Sequence, residues 1–252
     1  MENFRGFTEQ TNDFLVGIKF NNNKEWFNAN KLMYTENVHK PMVALANEVY
    51  EKMHEYKKNF YEKPKISRIN RDIRFSNNKS PYKISKWFFL RGDGSPHIRY
   101  EKPTYFFEIS GDWWRYGLFY APTPTGMEKY RKRIAADLPA FERLVNKYDK
   151  NKNFELCGEM YKRIFNKDLS DKINNWANRK EIELVHCEDY SNLDFYSDEL
   201  VNIIYKGFKE LYPLYEYLNT IGWWNEWKYR KQFRSWRKIY ENSSPRGKKS
   251  LW

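Results

Sequence analysis

The chain opens with mixed polar and apolar residues, and its first helical pattern is read at residues 24–38 (KEWFNANKLMYTENV). A clearer helix follows. Pro41 suits a first turn, and Met42, Leu45, Ala46, Val49, Tyr50 and Met53 recur at helical spacing with charge on the other side. The period then drops to two. From Ile66 to Phe75, Ile69, Ile73 and Phe75 alternate with Arg68, Asn70, Asp72 and Arg74, which predicts a strand buried on one face. Asn77 to Pro81 reads as a turn, and Gly92 to Pro96 as a loop. Further strands are predicted at Trp87–Leu90, Thr104–Ser110 and Tyr116–Tyr120, the last two joined by a tight turn at Gly111-Asp112.

Helices return with Met127–Ala136, behind the capping pattern Thr125-x-x-Glu128, and with a helix from Asp137 to about Tyr148. Strands are read at Phe154–Ile164 and Ile182–His186, with a short helix at Asp171–Lys180 between them. Ser197 is a candidate N-cap for a final body helix, where Leu200, Ile204, Phe208, Leu211, Tyr215 and Leu218 share one stripe and Pro213 predicts a kink. This order predicts an α+β fold, a mostly antiparallel sheet covered by helices, in one domain over residues 1–222. Residues 223–252 are read as a separate basic, Trp-rich C-terminal extension.

Composition sharpens that picture in one respect. The 252 residues include 10 Trp, 20 Tyr and 18 Phe, so the core must be built largely from rings. The 40% hydrophobic fraction excludes a disordered chain, and no apolar run reaches the ~18 residues of a membrane span. The N-terminal residues lack an apolar signal stretch, and the expected setting is the cytoplasm. Cys157 and Cys187 are expected to be free, buried thiols. The net charge of +12 is uneven: nine basic residues stand against two acidic ones between Trp223 and Trp252. There Tyr229, Phe233, Trp236 and Tyr240 form an aromatic stripe among cations. It could dock on the body, bind nucleic acid, or meet a membrane or a protein partner.

The densest polar grouping is Arg68, Arg71, Asp72, Arg74, Ser76, Lys79, Tyr82 and Lys83, with five cations and one acid in 16 positions. Guanidinium forks, an ammonium and hydroxyls at a strand–turn junction suit a phosphate or carboxylate. The alternative is a solvated salt-bridge ladder with cross-strand partners. Arg71 falls on the Ile69–Ile73 face, which requires a bulge or a buried, paired arginine.

The string RINRDIRFSNNKSPYK also resembles the signature of a family of conserved hypothetical proteins of bacteria and fungi, a domain of unknown function. The shared pattern runs through Arg71, Asp72, Arg74, Phe75, Ser76, Lys79, Pro81, Tyr82 and Lys83. Similar segments are Asn22–Phe27, Tyr105–Ile109 and Tyr212–Leu214. The chain departs from the pattern before the sheet's last strand, where Gly117 stands alone, and after Tyr161-Lys162-Arg163, where a Pro-Gly stretch is missing. The resemblance implies a site at this strand–turn and brings no activity, substrate or cofactor.

His39, His54, His97 and His186 lack metal-ligand spacing, and no nucleophile, Walker or dinucleotide fingerprint is present. No cofactor is therefore expected. Three functions are carried forward: a binding module for a small anionic or phosphorylated ligand, an enzyme acting on such a ligand, and a nucleic-acid binder using residues 223–252.

Overall fold

The computed structural model describes residues 3–60, 62–92, 102–150 and 152–221. His97, most of the Gly92–Pro96 loop and the C-terminal extension lie outside the described residues.

Six strands form one sheet in the order β1-β2-β3-β4-β6-β5, every neighbour antiparallel. They are β1 (Lys65–Ile66), β2 (Ser85–Leu90), β3 (Thr104–Ser110), β4 (Trp114–Tyr120), β5 (Glu155–Cys157) and β6 (Ile182–Glu188). Register aligns the inward rows. Phe88 lies opposite Phe107, Phe107 opposite Tyr116, and Tyr105 opposite Leu118, which faces Leu184. All six are buried. Successive strand residues point to opposite faces, so Trp87, Phe89, Phe106 and Phe119 point the other way. They are only half-buried.

The helices pack on the first face. They are α1 (Glu9–Phe20), α2 (Lys24–Ala29), α3 (Lys31–Met33), α4 (Lys40–Tyr56), α5 (Pro124–Ala136), α6 (Leu138–Asp149), α7 (Asp171–Ala177) and α8 (Leu200–Asn219). A π-helical turn at Tyr34–His39 joins α3 to α4. The predicted stripe of α4 is its buried face, from Met42 to Met53. Pro213 lies inside α8. There the Tyr148 hydroxyl accepts from the Leu214 N–H and donates to the Glu210 carbonyl, at 3.3 Å each. A side-chain hydroxyl thus fills the rung where the helix ladder parts.

Several expectations are corrected. Helix α1 has no counterpart in the sequence reading. The helix expected at 24–38 is broken at Asn30. The strand expected at Ile66–Phe75 ends at Ile66, and Phe75 is 95% exposed where it was expected to face inward. The strand expected at Phe154–Ile164 is only β5. It stops at Gly158, whose φ of +111° brings the chain so close to Glu181 that a Cβ would stand 2.5 Å from its carbonyl oxygen. The N-cap of α5 is Thr123, not Thr125, and that of α8 is Glu199, not Ser197. Both cysteines are free, but Cys157 is half-buried and Cys187 exposed. No helix among the described residues is long and apolar enough to cross a membrane.

Candidate anion-binding cleft on the open face of the sheet

The segment after β1 leaves the sheet at Ser67. Its N–H still donates to the Trp87 carbonyl at 2.8 Å, but its hydroxyl accepts the Trp87 N–H at 3.1 Å. That side-chain bond replaces the next backbone rung, and the chain peels away. Residues 69–83 then fold back on themselves. The Arg71 N–H donates to the Pro81 carbonyl at 2.9 Å and the Lys83 N–H to the Ile69 carbonyl at 2.8 Å, with a bridge between Asn70 and Tyr82. The alternation seen in the sequence therefore belongs to a narrow loop. Only Ile69 of its alternating apolar residues is buried.

Tyr82 anchors this loop. Its N–H donates to Asn22 Oδ1 and its carbonyl accepts from Asn22 Nδ2, both at 3.0 Å. Its buried ring stacks on Phe27 at 4.2 Å between centroids. The Asn22–Phe27 segment thus holds the arginine-rich loop from below.

Between the loop and the open face lies a cleft of about 1150 Å³. Arg68, Arg71, Asp72, Arg74 and Lys83 line it, whereas Ser76, Lys79 and Tyr82 do not. Ser76 acts indirectly, its hydroxyl accepting from Arg71 Nη2 at 3.4 Å. Lys79 Nζ donates to the Ile73 carbonyl at 3.1 Å. Arg71 is half-buried at the cleft, so neither a bulge nor a buried ion pair is needed to account for it.

The cations fall into two sets. Arg74 is neutralised by its neighbour, with Nε and Nη2 donating to the Asp72 carboxylate at 2.9 and 2.6 Å. Those hydrogen bonds hold the Asp72 carboxyl down at about 2. Arg115 is held likewise on β4, its Nη2 2.8 Å from Glu108 and its Nη1 3.3 Å from Glu183. Burial raises the Glu183 carboxyl above its ordinary value, with Arg115 opposing. In contrast, Lys65, Arg68, Arg71 and Lys83 make no ion pair among the described residues. Lys83 Nζ sits 5.1 Å from the Trp87 ring centroid, and burial lowers its ammonium below the ordinary value. The lining carries eight cationic side chains against three carboxylates, so the cleft is positive.

Sequence reasoning missed two parts of this region. The aromatic floor hides in the runs Trp87–Leu90 and Tyr105–Phe107, where apolar residues occupy both faces and the alternation disappears. Lys86 was also missed. It points to the helix side, is 1% exposed, and donates to the Tyr34 hydroxyl at 2.9 Å and to the Ser67 carbonyl. Burial, and next the nearby Lys83, lowers its ammonium to about 8. Burial likewise raises the Tyr34 hydroxyl to about 12 and lowers His39.

Among the described residues, no group of three His, Cys, Asp or Glu side chains could hold a metal ion. His186 Nδ1 lies 2.8 Å from the Asn153 carbonyl, and its Nε2 3.1 Å from Glu188.

The fold and the cleft define an α+β protein whose antiparallel sheet is helix-covered on one face and bears a cationic, ring-floored cleft on the other. The chain belongs to the family of conserved hypothetical proteins DUF2461, whose model matches residues 10–217. No curated protein matches it.

Proposed function

We infer that the cleft is a binding site for a small anionic or phosphorylated ligand and that the protein is a binding module. The observation that carries this reading is the set Lys65, Arg68, Arg71 and Lys83, gathered at one cleft with no ion pair among the described residues; Lys83 feels one carboxylate, Glu108, and that at longer range. Cationic groups that neutralised only their own neighbours would resemble Arg74 with Asp72. The signature string Arg71 to Lys83 supports the reading through its parts. Arg71 and Lys83 reach the cleft, Ser76 braces Arg71, and Tyr82 fixes the loop to Asn22 and Phe27.

The enzymatic alternative draws less support. Asp72, its proposed proton carrier, is exposed and tied to Arg74, and the cleft is open along the sheet instead of enclosed. A cytoplasmic setting belongs to the same proposal and is supported by the unpaired thiols.

A thermal-shift panel of inorganic phosphate, pyrophosphate, sugar phosphates and dicarboxylates tests it. Phosphorylated compounds should raise the melting temperature, and Arg68→Ala combined with Arg71→Ala should remove the gain while leaving the unliganded melt intact. The reading fails if no anion shifts the wild-type melt, or if the double variant responds as strongly as wild type.

A further inference from the structure

The anion reading leaves the floor of the cleft unused. Trp87 and Phe89 on β2 stack on each other, 5.2 Å between centroids and 22° between planes. Phe106 on β3 lies opposite Phe89 in register, and Phe119 on β4 lies opposite Thr104. These rings are half-buried, whereas Phe88 and Phe107, their neighbours on the helix side, are 0% exposed. No helix among the described residues crosses this face. Cations alternate with the rings. Lys83 stands 5.1 Å from Trp87, Arg91 4.9 Å from Phe89 and Arg115 5.4 Å from Phe106.

An acidic peptide or a simple polyanion would satisfy the charges but draw nothing from the rings, over which Lys83, Arg91 and Arg115 stand in the free protein. A guest that used both would carry flat rings and anionic groups in alternation. One free nucleotide has that chemistry once only. The cleft repeats it over adjacent strands about 4.8 Å apart, and its volume exceeds the ~300–1,000 Å³ of small-molecule pockets. We propose that this face of the sheet binds single-stranded nucleic acid, bases stacked on Trp87, Phe89 and Phe106, phosphates held by Lys65, Arg68 and Arg71. Base stacking on exposed strand aromatics beside a basic groove is a sequence-tolerant mode of single-strand recognition. The proposal rests on the anion-binding reading and extends its ligand from a small anion to a phosphodiester strand. It is separate from binding through residues 223–252.

The test is fluorescence anisotropy on the full chain with a labelled oligouridine of about eight nucleotides. The competitors are an abasic phosphodiester strand of equal length and polyglutamate of equal charge. Oligouridine should bind about tenfold or more tightly than either. Phe106→Leu should cut that preference several-fold, while Arg68→Ala should weaken both phosphodiester strands. If abasic strand and polyglutamate match oligouridine, the stacking proposal fails and the anion reading survives. If nothing binds and phosphate leaves the melt unmoved, both fail. Photocrosslinking with a thiouridine strand decides the matter should Phe106→Leu not fold. Adducts on Trp87, Phe89 or Phe106 are expected, and adducts confined to residues 223–252 overturn the proposal.

Discussion

The two faces of the sheet are made from nearly the same residue types and end in opposite states. On the helix side, Phe88, Tyr105, Phe107 and Trp114 are fully buried, and even a lysine, Lys86, is enclosed with a hydroxyl and a carbonyl as partners. On the open side, Trp87, Phe89, Phe106 and Phe119 keep part of their surface free, and the cations beside them outnumber the acids. Aromatic content alone therefore does not distinguish core from site. What distinguishes them is whether a helix lies over the rings.

The comparison is broken most easily at adjacent positions on β3. Phe107→Ala should cost about 3–5 kcal/mol in chemical denaturation, because it opens a cavity under α-helical cover. Phe106→Ala should cost only about 1 kcal/mol, because its ring is half-buried. Equal losses would show that the open face is packed as a core.

Lys86 gives the next largest effect, read as a pH dependence. Burial lowers its ammonium from the ordinary 10.5 to about 8. Below about pH 8 it is charged in both states, and enclosing the charge costs stability. Between about 8 and 10.5 the unfolded chain holds a proton that the folded chain has released, so stability rises with pH. The Lys86 contribution should be on the order of 2 kcal/mol by pH 10, offset in wild type from about pH 9 upward as the unfolded chain's tyrosines ionise while buried ones such as Tyr34, with its hydroxyl raised to about 12, stay protonated. Urea melts taken at pH 7 to 10 should show wild type gaining stability relative to Lys86→Met as the pH rises. An unchanged slope would mean that another group carries it.

Arg115→Ala should cost about 1–2 kcal/mol, since Glu108 and Glu183 are largely covered and lose the cation they share. Denaturation curves indistinguishable from wild type would place those carboxylates in full contact with water. The smallest effect belongs to Arg74→Ala. Its pair with Asp72 is 75% and 59% exposed, and the melting temperature should not move. A clear drop would mean that the loop depends on this pair for its shape.

The same contrast explains what could be read from the sequence. The stripe from Met42 to Met53 was legible because periodicity and burial coincide there. Arg68, Arg71 and Lys83 were legible as candidates because their density is unusual, and they do share a cleft. The segment Ile66–Phe75 misled because period two requires only two environments, not a sheet. Here loop and solvent supply them, while Ser67 diverts the chain with one side-chain hydrogen bond. Tyr82 looked like a ligand-binding hydroxyl because nothing nearby in sequence shows that Asn22 and Phe27, some sixty residues earlier, hold it. The runs of consecutive aromatics concealed the floor, since a strand that is apolar on both faces shows no face at all. Helix α1 went unseen for a related reason. Its buried set, Thr11, Phe14, Leu15 and Ile18, is short and begins with a polar residue.

The strand order has a consequence for synthesis. In the finished protein the two outermost strands are minimal, Lys65–Ile66 and Glu155–Cys157, and offer little for another chain to pair with. During translation the border is different. Trp114–Tyr120 leaves the ribosome well before its partner Ile182–Glu188, and at ~5–20 residues per second the delay is ~3–12 s. For that interval the nascent chain carries a seven-residue, ring-rich border, paired on one side only and open on the other to pairing with another chain.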